Sequence, residues 1–87
     1  MYKKALEELI KEAARKFFME HTEYKQVACY KAEIKNEYSM LFFKAKIMVA
    51  DNDPYLGKYF TVSGFLGFEI ECREIRDADN AKLYRVA

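Results

Sequence analysis

The chain has few of the residues that usually reveal a chemical function. It contains one His, two Cys, three Gly, one Pro and no Trp. A structural zinc site takes about four closely spaced Cys or His ligands, and one His beside two distant Cys cannot supply them. The dipeptide Gly57-Lys58 lacks the other residues of a phosphate-binding loop. The sequence therefore predicts no metal, no cofactor and no catalytic residue.

An excess of charge of one sign is also missing. Lys and Arg number 15 against 14 Asp and Glu, so the net charge is +1. Nucleic-acid-binding and membrane-surface proteins usually show a marked basic excess. No apolar run is long enough for a transmembrane helix, and charged residues such as Glu7, Glu8 and Lys11 interrupt the first apolar stretch. We expect no membrane association.

The two cysteines, Cys29 and Cys72, are too few for a disulfide framework. Nothing at the N-terminus has the pattern of a secretory signal. We therefore expect two free thiols and a cytoplasmic location.

What the chain does contain is typical of one small globular domain over residues 1–87. Hydrophobic residues make up 52% of it, with seven Phe and seven Tyr, and charged residues make up 33%. Aromatic side chains bury a large area each, which suits a small core. The chain begins with an amphipathic pattern, which predicts a helix over residues 2–20. Its apolar stripe consists of Leu6, Leu9, Ile10, Ala13, Phe17 and Phe18.

After the helix the apolar period changes to two, which predicts β-strands. The predicted strands lie at about 24–35, 39–50, 58–64, 68–76 and 82–86. The expected fold class is α+β, with the helix packed on one face of a four- or five-stranded antiparallel, meander-like sheet. Phe60, Val62, Phe68, Ile70 and Cys72 are expected to face the helix. Gly64 and Gly67 leave open whether residues 58–76 form one bent strand or two.

The first two strands are predicted to form a hairpin. If Asn36 and Glu37 are its loop, Ala32 lies opposite Leu41, and Tyr30 lies opposite Phe43. Both apolar faces then fall on the same side of the sheet, and a slip of one residue would separate them.

Two acidic segments resemble the start of a calcium-binding loop. However, Asp51-Asn52-Asp53 and Asp77-Ala78-Asp79 lack the Gly and Glu that complete such a loop. We predict ordinary Asx turns at both.

The sheet face away from the helix is the candidate functional surface, because one helix can cover only one face. This face is predicted to combine apolar and basic side chains and to bind a partner. Its predicted partner-binding residues are Cys29, Lys31, Met40, Phe42, Lys44, Lys46 and Met48.

Three functions are compatible with this surface. The leading hypothesis is a non-enzymatic protein-interaction module, acting as a regulator, inhibitor or accessory subunit through the sheet face or an edge strand. Its partner is another protein or its own copy, and a homodimer is expected. The alternative is single-stranded nucleic-acid binding, with Phe42 stacking on a base and the lysines contacting phosphates. A small-ligand binder or enzyme with a pocket between helix and sheet is a second alternative.

Overall fold

A computed structural model describes residues 2–50 and 57–86 as one helix followed by five strands. The elements are α1 (Tyr2–His21), β1 (Val27–Glu37), β2 (Met40–Val49), β3 (Lys58–Leu66), β4 (Ile70–Asp77) and β5 (Lys82–Arg85). The strands form a single antiparallel sheet in the order β1-β2-β3-β4-β5, and α1 packs on one side of it. The predicted α+β fold is confirmed. Residues 58–76 belong to two strands, β3 and β4.

The helix contacts the sheet through a narrow stripe. Ile10, Ala14 and Phe18 are fully buried and follow one another at intervals of four residues. Leu9, predicted to lie in the stripe, is 60% exposed, so that part of the prediction is wrong. The observed stripe has the fully buried Ala14 at its centre and is therefore rotated away from Leu9.

The C-terminal end of α1 is fixed by its own side chains and by β5. The Thr22 hydroxyl donates a hydrogen bond of 2.7 Å to the Phe18 carbonyl, which satisfies one of the last free carbonyls of the helix. The His21 ring stacks on Tyr84 with 4.0 Å between ring centroids. This contact connects the helix end to the last strand.

The β1–β2 hairpin turns at Tyr38-Ser39, two residues later than predicted. Both residues have positive φ, 54° and 62°, as a two-residue type I′ turn requires. Ala32 therefore lies opposite Ala45 instead of Leu41. The predicted loop and pairing are wrong, but the error is an even number of positions, so Ala32 still faces the helix.

A β-bulge at Tyr30 reverses the alternation in the first part of β1. Cys29 pairs with Ile47, and Lys31 pairs with Lys46, so Tyr30 is an extra residue on its strand. Cys29 consequently packs against the core on the helix side, whereas Tyr30 is 51% exposed on the other side. The sequence prediction placed these two side chains on the opposite faces.

A second bulge lies between β3 and β4. Ser63 pairs with Glu74 and Gly64 pairs with Cys72, which leaves Arg73 as the extra residue. The chain then reverses at residues 67–69. Phe68 lies in this reversal and is fully exposed, so its predicted inward position is wrong.

Other predicted inward positions are confirmed. Phe60 and Val62 belong to the buried core, and Ile70 and Cys72 are partly buried against it. Leu41, near the start of β2, is the exception, because it is 38% exposed.

The turn between β4 and β5 is an Asx turn, as predicted. The Asp77 carboxylate accepts hydrogen bonds of 2.9 Å from the backbone N–H groups of Asp79 and Ala81. The other predicted Asx turn, at Asp51–Asp53, lies outside the described residues. The helix in the described part of the chain is not long and apolar enough to cross a membrane.

Candidate functional site: the outer sheet face

The side of the sheet away from α1, called here the outer face, carries most of the predicted partner-binding residues. Alternation along β2 places Phe43, Ala45 and Ile47 in the core, so the residues between them point outward. The predicted residues on the outer face are Lys31, Met40, Phe42, Lys44, Lys46 and Met48. Cys29 is the exception, because the bulge turns it toward the helix.

The sheet brings further side chains onto the outer face that the sequence prediction did not include. The register adds side chains from the three strands that follow β2. They are Tyr59, Thr61, Ser63 and Phe65 on β3, Glu71, Arg73, Glu74 and Arg76 on β4, and Lys82 and Arg85 on β5. Tyr59 and Phe65 were detectable from the period of β3. The residues of β4 were harder to assign because a bulge at Arg73 interrupts the alternation there.

Positive charge is concentrated on the outer face. Its basic side chains are eight in number: Lys31, Lys35, Lys44, Lys46, Arg73, Arg76, Lys82 and Arg85. The acidic side chains of this face that the structure describes are four: Glu33, Glu37, Glu71 and Glu74. The face thus carries four more positive than negative charges, whereas the whole chain has a net charge of +1.

Every acidic side chain of the outer face forms an ion pair with a basic residue two positions away. The pairs and their nitrogen–oxygen distances are Lys31–Glu33 (3.0 Å), Lys35–Glu37 (3.5 Å), Arg73–Glu71 (3.8 Å) and Arg76–Glu74 (2.8 Å). Lys82 also approaches Glu74, at 3.9 Å. The hydrogen bond between Lys31 and Glu33 raises the pKa of the lysine and lowers the pKa of the glutamate, so both stay charged.

Among the described residues, three cations of the outer face form no close ion pair: Lys44, Lys46 and Arg85. Lys46 donates a 3.4 Å hydrogen bond to the Thr61 hydroxyl, which is uncharged. Lys44 and Arg85 lie in the same row across the sheet, with Ser63 and Glu74 between them. Glu33 lies opposite Lys44 and interacts electrostatically with Lys44 and Lys46, and Glu74 lies opposite Arg85. Both glutamates already form ion pairs with other cations, so they offset this positive charge only in part.

Aromatic rings lie on both sides of these cations along the strands. Tyr30 and Tyr59 form an edge-to-face pair with centroids 6.2 Å apart, and each is about half exposed. Phe42 and Phe65 are neighbours across β2 and β3, and the Arg73 guanidinium lies 4.8 Å from the Phe65 ring centroid.

The outer face is concave. A depression of about 1000 Å³ extends over all five strands and is lined by side chains that include Lys35, Phe42, Phe65 and Arg85. A smaller pocket of about 320 Å³ lies beside Tyr30, Tyr59 and Lys46.

The residues with catalytic potential lie on the helix side of the sheet. Burial raises the pKa of the Cys29 thiol, and burial together with the proximity of Cys29 raises the pKa of Cys72 to about 11. Both thiols are therefore protonated near neutral pH, and a protonated thiol is a poor nucleophile. Within residues 2–50 and 57–86, no three His, Cys, Asp or Glu side chains are grouped as a metal site would need.

Known proteins offer no guide to this surface. No family model matches the chain, and no curated protein or solved structure matches it. Function is therefore inferred from the geometry and charge of the chain itself.

Proposed function

We propose that this chain is a small non-enzymatic interaction module that binds an acidic macromolecule on its outer face. The observation that carries the proposal is the excess of positive charge among the described residues of a concave surface that α1 does not cover. The four acidic side chains of this surface among the described residues already form ion pairs with other cations, whereas Lys44, Lys46 and Arg85 form no close ion pair there. An anionic partner supplies the missing negative charge.

The same charge argues against a homodimer formed through this face. In a symmetric dimer the outer face would meet its own copy. Each copy would bring four more positive than negative charges into the interface, and like charges in contact cost several kcal/mol. A different, acidic partner satisfies the surface better than a second copy does.

The space between helix and sheet offers little room for a substrate. Large side chains fill it: Phe18, Phe43 and Phe60 are buried, and the rings of Phe18 and Phe60 are 5.0 Å apart. His21 packs against Phe17 and Tyr84 at the helix end. These contacts support a binding role over an enzymatic one.

A module of this kind acts by occupying a surface of its partner, as a regulator, an inhibitor or an accessory subunit does. We place it in the cytoplasm, since Cys29 and Cys72 are both free thiols, as is usual in a reducing compartment.

Charge reversal on the outer face tests the proposal against a control with the same net charge. The double variant Lys44→Glu, Lys46→Glu reverses the central cations, and Lys3→Glu, Lys4→Glu makes the same change on exposed helix positions. Binding to labelled polyglutamate, single-stranded oligonucleotide and duplex DNA is followed by fluorescence anisotropy at low salt.

We expect at least one of these polymers to bind the unmodified protein. Its affinity should fall about tenfold or more in the outer-face variant and change little in the helix variant, because the contacts are local. If none of the polymers binds, or if both variants lose affinity equally, the proposal is wrong.

A further inference from the structure

We infer that the acidic partner is a single-stranded nucleic acid, whose bases stack on the tyrosines of the outer face. This inference rests on the proposed function and names the partner of the same surface. It uses an observation that the proposed function does not need, namely the position of Tyr30 and Tyr59.

Tyr30 and Tyr59 form the stacking platform. The bulge on β1 directs Tyr30 outward, where it meets Tyr59 of β3 at 87° between ring planes. The two rings are 51% and 49% exposed, so about half of each side chain is accessible to a ligand. Exposed aromatic rings beside cations are the common feature of surfaces that bind single strands without reading sequence.

The small pocket beside this pair has the surroundings that a stacked nucleotide requires. Its volume is about 320 Å³, and its lining includes Tyr30, Tyr59, Lys46 and Thr61. Asp77 at the end of β4 also lines it, and one oxygen of its carboxylate accepts two backbone hydrogen bonds within the following turn. The rings supply apolar faces for a base, and the Lys46 ammonium is placed to contact the adjoining phosphate. The Thr61 hydroxyl holds the lysine at 3.4 Å.

The strand continues from this pocket along the sheet toward Phe42 and Phe65. Phe65 lies six positions after Tyr59 on β3, which corresponds to about 20 Å at the rise of an extended strand. The unpaired cations Lys44, Lys46 and Arg85 lie between these two aromatic positions. A path of this length fits about four nucleotides, at the lower end of the site sizes of small sheet domains.

The surface is better suited to unpaired bases than to a duplex. Base readout in a duplex usually needs a helix or ribbon that enters a groove, and the outer face is a concave sheet without such a projection. Bases in a duplex are stacked on each other and cannot lie against Tyr30 or Tyr59. Polyglutamate would use the cations but has no aromatic base to stack on the tyrosine rings.

Binding of a labelled oligothymidylate of about eight nucleotides, measured by fluorescence anisotropy at several salt concentrations, tests the inference. The variant Tyr59→Ala removes one ring, and Tyr59→Phe keeps it. Tyr38→Ala is the matched control, because Tyr38 is 91% exposed at the hairpin turn away from the platform. Circular dichroism verifies that each variant is folded, and polyglutamate and duplex DNA are titrated in parallel.

We expect Tyr59→Ala to weaken oligothymidylate binding by about 5- to 150-fold, the range for loss of one stacked base. Tyr59→Phe and Tyr38→Ala should bind as the unmodified protein does. Lys44→Ala with Lys46→Ala should reduce the slope of log affinity against log salt by about 1.4, because two phosphate contacts are lost.

Other results separate the inference from the proposed function. If polyglutamate binds through Lys44 and Lys46 and the oligonucleotide does not, the inference is wrong and the proposed function stands. If the duplex binds as tightly as the single strand, or if Tyr59→Ala has no effect, the stacking inference is also wrong. If none of the three polymers binds, both are wrong.

Discussion

Gly64 is the residue at which the sheet leaves no room for a side chain. It lies opposite Cys72 at the bulge on β4, where the backbone of Glu71 comes close. A Cβ at this position would overlap the Glu71 carbonyl oxygen and would lie 2.9 Å from Cζ of Phe43. A glycine in a strand often marks such a close approach of another backbone.

Gly64→Ala should therefore destabilise the fold by about 3 kcal/mol, at the upper end of the cost of overpacking, because a backbone group is displaced as well. Gly67→Ala is the control: its nearest neighbour would be Cε2 of Phe65, at an ordinary 3.8 Å. That change should be neutral or slightly stabilising. Urea unfolding of the two variants measures both effects. Equal stabilities would contradict this account of the bulge.

Cys72 has a thiol whose reactivity should depend on folding. Burial raises its pKa from 9.0 to about 11, so the folded state holds a proton that the unfolded state loses above pH 9. Below pH 9 the thiol is protonated in both states and contributes no pH dependence. Between pH 9 and pH 11 stability should fall as pH rises, because the folded state then binds more protons than the unfolded state.

Alkylation by iodoacetamide at pH 8 tests this shift, and limited access to the partly buried thiol acts in the same direction. With its pKa near 11, Cys72 should react about 100-fold more slowly than in the denatured chain, because only the thiolate reacts. Peptide mapping by mass spectrometry distinguishes it from Cys29. Reaction of Cys72 at the same rate in native and denatured protein would show that its pKa is not raised.

At the scale of elements, the β1–β2 hairpin shows how the turn sets the register. A type I′ turn requires positive φ at two successive residues, and Tyr38 and Ser39 are unusual choices for it. Asn and Gly adopt this conformation at lower cost. Tyr38 and Ser39 therefore make this turn less stable than Asn or Gly would at the same positions.

Ser39→Gly should stabilise the protein by about 0.5–1 kcal/mol, because it relieves the strained backbone. Glu37→Gly places the same residue inside β1 and should destabilise the protein by a similar amount. Thermal unfolding followed by circular dichroism compares the two variants. The opposite order would support the turn at Asn36-Glu37 that the sequence pattern suggests.

These elements show how much of the fold the sequence reveals. The helix and the strands follow from apolar periods of about 3.6 and 2 residues, which burial of one face imposes. The bulges at Tyr30 and Arg73 cannot be read from these periods. An extra residue in a strand has no distinctive composition, but it switches the side chains beyond it to the other face of the sheet. That is why Lys44 and Lys46 were placed correctly on an uninterrupted strand and Cys29 was not.

At the scale of the whole molecule, one side of the sheet provides stability and the other remains uncovered. Phe42 and Phe43 are adjacent on β2 and illustrate the division. Phe43 is 2% exposed in the core, and Phe42 lies on the outer face between Lys35 and Phe65.

Replacing each phenylalanine with alanine should separate the two roles. Phe43→Ala should cost about 3–5 kcal/mol of stability, as is usual for a buried ring. Phe42→Ala should cost much less and should weaken oligothymidylate binding instead. Urea unfolding and anisotropy titration of both variants make the comparison. A large stability loss with unchanged binding for Phe42→Ala would contradict this division.

An NMR titration of the methionine methyl groups tests most directly whether the ligand binds on the outer face. Three methionines in the described residues report on the two sides: Met40 and Met48 lie on the outer face, and Met19 lies on the helix. Their methyl groups give separate NMR signals in protein labelled with ¹³C-methyl methionine. Titration with oligothymidylate should shift the signals of Met40 and Met48 saturably and leave that of Met19 in place. A shift of Met19 alone, or no shift at saturating oligonucleotide, would contradict the account.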